Sequence, residues 1–325
     1  MTISEVNIKS VILKYIKGEI DLICILGPTA SGKTHLAVKT AEEINELIRE
    51  DKDVIEQIKE APEGTYRRFH NAEIISADSR QVYREMTIGT GKDLDEYNQI
   101  PYHLIDIIDA GEKYNIFRYQ NDFEKAYKDI VTRGGIPILC GGSGLYIEAA
   151  TCGYHLPEVP SNPELREELE AKSMDELILF LRDLKSTHNC SDFDSKKRII
   201  RAIEIALFEK ENPIVRSNYL PKETYYIGID VDRDSRNKLI DKRLDNRLKE
   251  GLIEEVSSLI SKGIPAEDLI YYGLEYKFIT LHLIGELSLV QMKEKLSIAI
   301  HQFAKRQMTW FRGMEKKGKV IHWMR

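Results

Sequence analysis

Four cysteines, Cys24, Cys140, Cys152 and Cys190, are scattered over 325 residues, and no two of them form a CxxC pair. Such spacing gives no zinc knuckle, dithiol centre or disulfide framework, and points to buried or incidental thiols. Long apolar runs are lacking as well: no stretch approaches the roughly 18 residues that a spanning helix needs. The opening MTISEVNIKS has no basic end followed by an apolar run, so neither a leader nor a membrane association is expected and the predicted location is the cytoplasm. A strong excess of one charge is also absent, since 47 basic against 53 acidic residues leave −6. A polyanionic partner would therefore have to be met by local basic faces.

What is present suits a folded protein. The apolar fraction is 42%, enough to bury a real core, and at about 150 residues per domain the length implies two domains or one with an insertion. Residues 21–26 (DLICIL) form a short apolar run ending at glycine, as a buried parallel strand does, and residues 35–50 read as a helix. Residues 50–71 are charged, carry Pro62 and Gly64, and read as a solvated helix extension plus loop. Further strands are predicted at 73–76 (EIIS), 103–108 (HLIDII) and 136–140 (IPILC), with a helix at 117–132. Alternating strands and helices argue for a parallel sheet covered on both faces. After Tyr154, Pro157, Pro160 and Pro163 interrupt the chain, and helical periodicity follows over 165–184 and 195–208. The core resumes with a strand at 224–231, one long amphipathic helix at 239–261, another at 289–312 and a terminal strand at 319–323.

The strongest local pattern is Gly27-Pro28-Thr29-Ala30-Ser31-Gly32-Lys33-Thr34, which fits GxxxxGK[ST] between a predicted strand and a predicted helix. Glycines let backbone N–H groups converge on phosphate oxygens at a helix N-terminus, Lys33 adds positive charge, and Thr34 offers a hydroxyl to Mg²⁺. Many phosphate-loop enzymes hold Mg²⁺ with an acid at a strand end, yet IPILC ends in Gly141-Gly142. An acid stands instead at Asp78, after the second strand, where open α/β sheets bind ligands; a role on the acceptor is expected, although Asp before a turn also serves as a helix cap.

These stretches resemble the tRNA dimethylallyltransferases (tRNA isopentenyltransferases). The matching segments are GPTASGKT (27–34), ISADSRQVYREMTIGTGK (75–92), YHLIDI (102–107), RGGIPILCGGSGLY (133–146), KRIIRAIE (197–204), DKRLDNRLKEGLIEEV (241–256) and AKRQMTWFR (304–312), in the family's order over nearly the whole chain. The resemblance implies a P-loop NTPase-like α/β fold with a parallel sheet core and an inserted helical domain. Its parts are a catalytic core over 1–154, a tRNA-facing insertion over 155–222 and the returning core over 223–325. It implies transfer of a five-carbon allyl group from dimethylallyl diphosphate to N6 of the adenosine 3′ of the anticodon, position 37, with Mg²⁺ and release of diphosphate. The partner is the anticodon stem-loop, and a monomer is expected.

By the same resemblance, Asp78 is the general base, Lys33 neutralises leaving-group charge, and Thr29 lies near the reacting centre. Residues 27–34 and Arg243 hold the diphosphate, and Thr34 meets the metal. Asp78, Ser79, Arg80, Gln81, Ser143, Arg166, Lys197, Arg198 and Arg201 contact RNA. Arg233, Arg243 and Arg247 match positions near the diphosphate or the core, without separate roles. His103 is expected to be a structural hydrogen-bond residue, and Trp310 and Phe311 to be core.

Gly-Gly-Thr is Gly141-Gly142-Ser143 here, which keeps the hydroxyl. Three segments depart further from the family pattern: the Ile-His-Pro-Asn-Asp run reads NCSDFDS (189–195), the Gly-x-Pro-x-Ser loop after Phe208 is reduced to EKENPIVRSNYLPK (209–222), and Gly-Tyr-Lys/Arg-Glu becomes YGLEYK (272–277). They keep open the same chemistry on free adenine nucleotides, as in cytokinin-forming relatives, and a P-loop kinase for a small metabolite.

Overall fold

A computed structural model describes residues 6–60, 69–153, 158–184, 195–212 and 221–324. The chain divides into two compact units, Met1–Tyr154 with Leu220–Arg325, and His155–Tyr219. In the first, six strands are seen among the described residues: β1 (Leu22–Leu26), β2 (Ala72–Ser76), β3 (Tyr102–His103), β4 (Ile136–Gly141), β5 (Thr224–Ile229) and β6 (Ile321–Met324). They form one parallel sheet in the order β3-β2-β4-β1-β5-β6. β1, β2 and β4 are buried at every residue, which is why they read as apolar runs and not as alternation. Because β2, β4 and β1 are neighbours, their carboxyl ends bring three loops to one edge of the sheet: residues 77–83, 142–143 and 27–32.

Helix Lys33–Glu50 starts at Gly32, whose φ of +80° favours glycine, and buries Leu36, Ala37, Val38, Ala41, Ile44 and Ile48 against the sheet. Helix Ile116–Thr132 is capped by the Asn115 side chain, which accepts from the N–H of Arg118. The long helix Leu289–Lys316 opens with a capping box between Ser288 and Gln291.

The structure corrects several expected elements. The 239–261 helix is two, Arg233–Lys249 and Leu252–Ser261, separated at Gly251, whose φ is +101°. HLIDII pairs as a strand only at its start, since Leu104 and Asp106 adopt positive φ values of 62° and 56°. Within 50–71, Lys52–Glu60 is a separate helix, and residues 61–68 lie outside the described residues. The second unit holds helices Pro163–Glu170, Met174–Leu184 and Lys196–Glu211 around a small core of Leu169, Leu177, Leu181, Ile199 and Ile203. The break in the 165–184 run falls at Ser173, whose hydroxyl and N–H both bond the Glu176 carboxylate. Among the described residues no helix is long and apolar enough to cross a membrane.

Candidate active site

β1 runs directly into Gly27, where an added Cβ would lie 2.6 Å from Ser31 Oγ and 3.3 Å from Ile229 Cβ, so a side chain there would displace the Ser31 hydroxyl. Ser31 is buried, and its hydroxyl has no hydrogen-bond partner among the described residues. Lys33 Nζ folds back toward the Pro28 carbonyl at 3.4 Å. Burial lowers the pKa of the Lys33 ammonium and Arg243 lowers it further, while Asp78 pulls it up. The loop is braced from far along the chain: Gln307 accepts from the N–H of Thr29 at 2.9 Å and donates to the carbonyl of Gly142 at 2.8 Å.

Asp78 sits one residue beyond Ala77, whose N–H bonds the Cys140 carbonyl at 2.7 Å. No helix starts there. Asp78 Oδ1 instead accepts from the N–H of Arg80 at 2.9 Å and holds a turn, its own N–H donating to Ser76 Oγ at 3.2 Å. The absence of an acid at the end of β4 has a steric cause: a Cβ at Gly141 would stand 2.4 Å from the Ala77 carbonyl oxygen. The Ala77 backbone, just before Asp78, fills that space. Ser143 Oγ accepts from the N–H of Ser79 at 3.4 Å, and Gln81 is buried, bonded to Ser76 and to the Gly91 carbonyl. The Arg80 guanidinium lies 5.5 Å from the centre of the Tyr271 ring.

Arg243 and Arg247, one turn apart on helix Arg233–Lys249, line a narrow pocket with Thr29, Ile240, Leu244, Glu275 and Ile300. Arg243 also reaches Asp93 at 3.1 Å. Arg247 is buried, stands 3.9 Å from Glu275, and has Nη2 without a hydrogen-bond partner among the described residues. Burial lowers the Arg247 pKa and raises that of Glu275. Cationic groups thus converge on the phosphate loop, with a small apolar wall beside Thr29. A larger open recess, on the acidic outer face of Lys33–Glu50 at Glu42, Glu43, Glu46 and Glu50, contains none of the predicted residues.

A family model described as IPP transferase matches residues 81–314. The chain belongs to the IPP transferase family. It is 53% identical over 307 residues to tRNA dimethylallyltransferase 2 of Porphyromonas gingivalis, covering 93% of each chain. It is 51% identical over 308 residues to tRNA dimethylallyltransferase 1 of Parabacteroides distasonis, covering 94% of this chain and 92% of that one. The crystal structure of the tRNA isopentenylpyrophosphate transferase from Bacillus halodurans superposes with a TM-score of 0.63 at 30% identity, over 94% and 89% of the two chains. A eukaryotic dimethylallyltransferase acting on tRNA shares the fold, with a TM-score of 0.67 at 22% identity over 89% and 69%. The fold is the P-loop NTPase-like α/β class expected from the sequence. The IPP transferase match begins three residues after Asp78, whereas the alignments to the two relatives, over 93% and 94% of this chain, also take in the phosphate loop and Asp78.

The residues that this IPP transferase family member was expected to use on RNA are sorted by the second unit. Lys197 and Arg198 are exposed in the first turn of Lys196–Glu211. Arg166 and Arg201 close on Glu204, which is 3% exposed: Arg166 at 2.8 Å through both Nε and Nη2, Arg201 at 3.0 Å. Arg201 also donates to the Val159 carbonyl at 2.8 Å. Of the divergent segments, residues 189–194 and 213–220 lie outside the described residues, whereas 272–277 is tied in by Tyr272, which accepts from the N–H of Gly111 at 2.7 Å. His103 bonds Glu73 at 2.7 Å, as a structural histidine should. Phe311 is fully buried, but Trp310 is 38% exposed and covers Gly144, so the core expectation holds for the first and not the second. Cys24 and Cys140 are buried and Cys152 exposed, all three free, and Cys190 lies outside the described residues. Arg233, exposed at a helix start, is set apart from the pocket of Arg243 and Arg247. Sequence reasoning assigned no role to Gln307, Glu275 or Glu255, although each lies inside a matching or divergent segment, 304–312, 272–277 and 241–256 respectively.

Proposed function

We propose that the chain transfers the dimethylallyl group of dimethylallyl diphosphate to N6 of the adenosine 3′ of the anticodon, position 37, in tRNA. The observation that carries the reading is the placement of a complete phosphate loop and Asp78 at the carboxyl ends of nearby strands, with Gly141 where a strand-end acid would otherwise stand. In this reading residues 27–34, with Lys33 and Arg243, hold the diphosphate and stabilise the charge that grows as the carbon–oxygen bond breaks. The electron pair leaves with the diphosphate, the N6–carbon bond forms, and Asp78 accepts the N6 proton, compensating for the weak nucleophilicity of a delocalised amine. Thr29, beside Ile240, Leu244 and Ile300, would border the allyl carbons.

Mg²⁺ fits the residues present. Among the described residues no group of three or more His, Cys, Asp or Glu is gathered for a metal, which suits an ion taking most of its ligands from diphosphate and water, with Thr34 as the protein hydroxyl. When bound it would supply charge neutralisation on the leaving group. For RNA, residues 78–81 and Ser143 would surround the flipped base, and Lys197 and Arg198 would meet phosphates, with Arg166 and Arg201 shaping that unit from their places on Glu204. The relatives named above support tRNA as acceptor in preference to a free adenine nucleotide or a kinase's hydroxyl. We read the enzyme as a cytoplasmic monomer.

The test incubates protein, Mg²⁺ and labelled dimethylallyl diphosphate with unmodified tRNA bearing adenosine at position 37 and, separately, with AMP. Label at N6 in tRNA alone is expected. Label in AMP, or none with either acceptor, overturns the reading.

A further inference from the structure

Glu255, on helix Leu252–Ser261, is absent from every set of reacting or binding residues above. Its carboxylate nevertheless accepts four hydrogen bonds. Oε2 takes the N–H groups of Thr87 at 2.9 Å and Ile88 at 2.7 Å, and Oε1 takes the N–H of Gly89 at 3.0 Å and the Tyr276 hydroxyl at 2.6 Å. Three successive N–H groups pointing at one anion form a concavity of the kind that binds free anions. Here a side chain from 168 residues away fills it, so the loop is held from outside.

That loop touches both halves of the site. At Gly91, with φ of +61°, a Cβ would stand 1.7 Å from Arg247 Nη2 and 2.1 Å from Arg243 Nη2; its bare backbone is the wall on which both guanidiniums rest. The Gly91 N–H bonds the Thr87 carbonyl at 2.9 Å, which ties the wall to the segment Glu255 grips. The Gly91 carbonyl accepts from Gln81 Nε2 at 3.1 Å. Ser76 Oγ donates to Gln81 Oε1 at 2.8 Å and accepts from the N–H of Asp78 at 3.2 Å. One carboxylate therefore fixes a loop whose single residue Gly91 supports the arginines on one side and the turn of Asp78 on the other.

We infer that Glu255 is a positioning residue for the transfer reaction, setting through loop 87–91 the spacing between the diphosphate-binding arginines and Asp78. The inference rests on the function proposed above. Displacements of about 1 Å at reacting groups cost on the order of a hundredfold in rate, so a loop released at Thr87–Gly89 should be felt in turnover before it is felt in folding.

The experiment compares Glu255→Gln, Glu255→Ala and Tyr276→Phe with wild type. It measures kcat, KM for tRNA, affinity for inorganic diphosphate with Mg²⁺ by calorimetry, and the thermal midpoint. Glu255→Gln keeps the shape but turns an amide donor toward a backbone donor. We expect kcat to fall about 10- to 100-fold in both Glu255 variants, and diphosphate affinity about tenfold as the arginines lose their wall. KM for tRNA should stay within about threefold, and Tyr276→Phe, which keeps all three backbone bonds, should remain within about threefold throughout. Wild-type kcat and diphosphate affinity in Glu255→Gln overturn the inference, as does an activity loss that matches a loss of folded protein. If wild type itself transfers no label, the proposed function fails instead, and diphosphate affinity alone then decides the role of Glu255.

Discussion

Asp78 is placed by backbone geometry and not by a neighbouring charge: one carboxylate oxygen holds the turn to Arg80, and Oδ2 is left without a hydrogen bond among the described residues. Such an arrangement suits an acid used as a base, since one oxygen fixes the group while the other stays open to a proton. This separates position from chemistry in a single substitution. Asn at 78 keeps an Oδ1 acceptor for the Arg80 N–H but cannot take the N6 proton. Asp78→Asn is therefore expected to lower kcat by about 10²- to 10⁴-fold while leaving affinity for Mg²⁺ and diphosphate within about twofold. Single-turnover label transfer beside calorimetry would measure both. Wild-type transfer by Asp78→Asn removes the base assignment, whatever happens to binding. Lys33 follows the opposite logic: its pKa is lowered mainly by burial, next by Arg243, and an arriving diphosphate would favour the ammonium again.

At the scale of elements, the residue that organises the second unit is Glu204. Burial alone would raise its pKa, but the Arg166 guanidinium, the Asn162 N–H and Arg201 outweigh burial and bring it from 4.5 to about 2. The folded state thus binds that proton more weakly than the unfolded chain does. The stabilisation is complete above the unfolded value near 4.5 and is lost as pH falls toward about 2. Its size is at most about 3 kcal/mol, and less in practice because both arginines reach solvent. Glu204→Gln should flatten the acid limb of the unfolding curve between those values and lower the midpoint at pH 7; an unchanged pH dependence would mean that other carboxylates set it. Elements of this kind were only partly legible beforehand. The strands at 21–26 and 136–140 could be read because parallel strands buried on both faces are plain apolar runs ending at glycine. The break at Gly251 could not, since helical periodicity continues through it on both sides. Nor could HLIDII, where apolar composition promised a strand and positive φ at Leu104 and Asp106 ended it. Gln307 and Glu255 escaped for a further reason: each acts on backbone 278 and 168 residues away, and no local pattern encodes that distance.

Over the whole molecule the net charge of −6 opposes a polyanion, so the proposed RNA binding has to come from local clusters of cations. Lys196, Lys197 and Arg198 occupy the first turn of Lys196–Glu211, the positive end of the helix macrodipole, where cations weaken a helix by some tenths of a kcal/mol. Lys196 serves the fold, donating to the Glu170 carbonyl and pairing with the Glu170 carboxylate at 3.7 Å, which leaves Lys197 and Arg198 as the exposed cations offered to phosphates. Arg166 and Arg201 are unsuitable probes of this, because removing either disturbs Glu204 and with it the unit's core. Lys197→Glu with Arg198→Glu is the pair to test, as both residues are exposed in the first turn and the change relieves an unfavourable dipole interaction there. The double variant should bind tRNA about tenfold or more weakly at low salt, with the dependence of log affinity on log salt reduced by between about one and two. Diphosphate affinity should hold. The comparison across salt is the deciding one: a lost phosphate contact must flatten the slope, whereas a merely distorted unit would weaken binding at every salt concentration without changing it. An unaltered slope and affinity would take Lys197 and Arg198 out of the RNA interface.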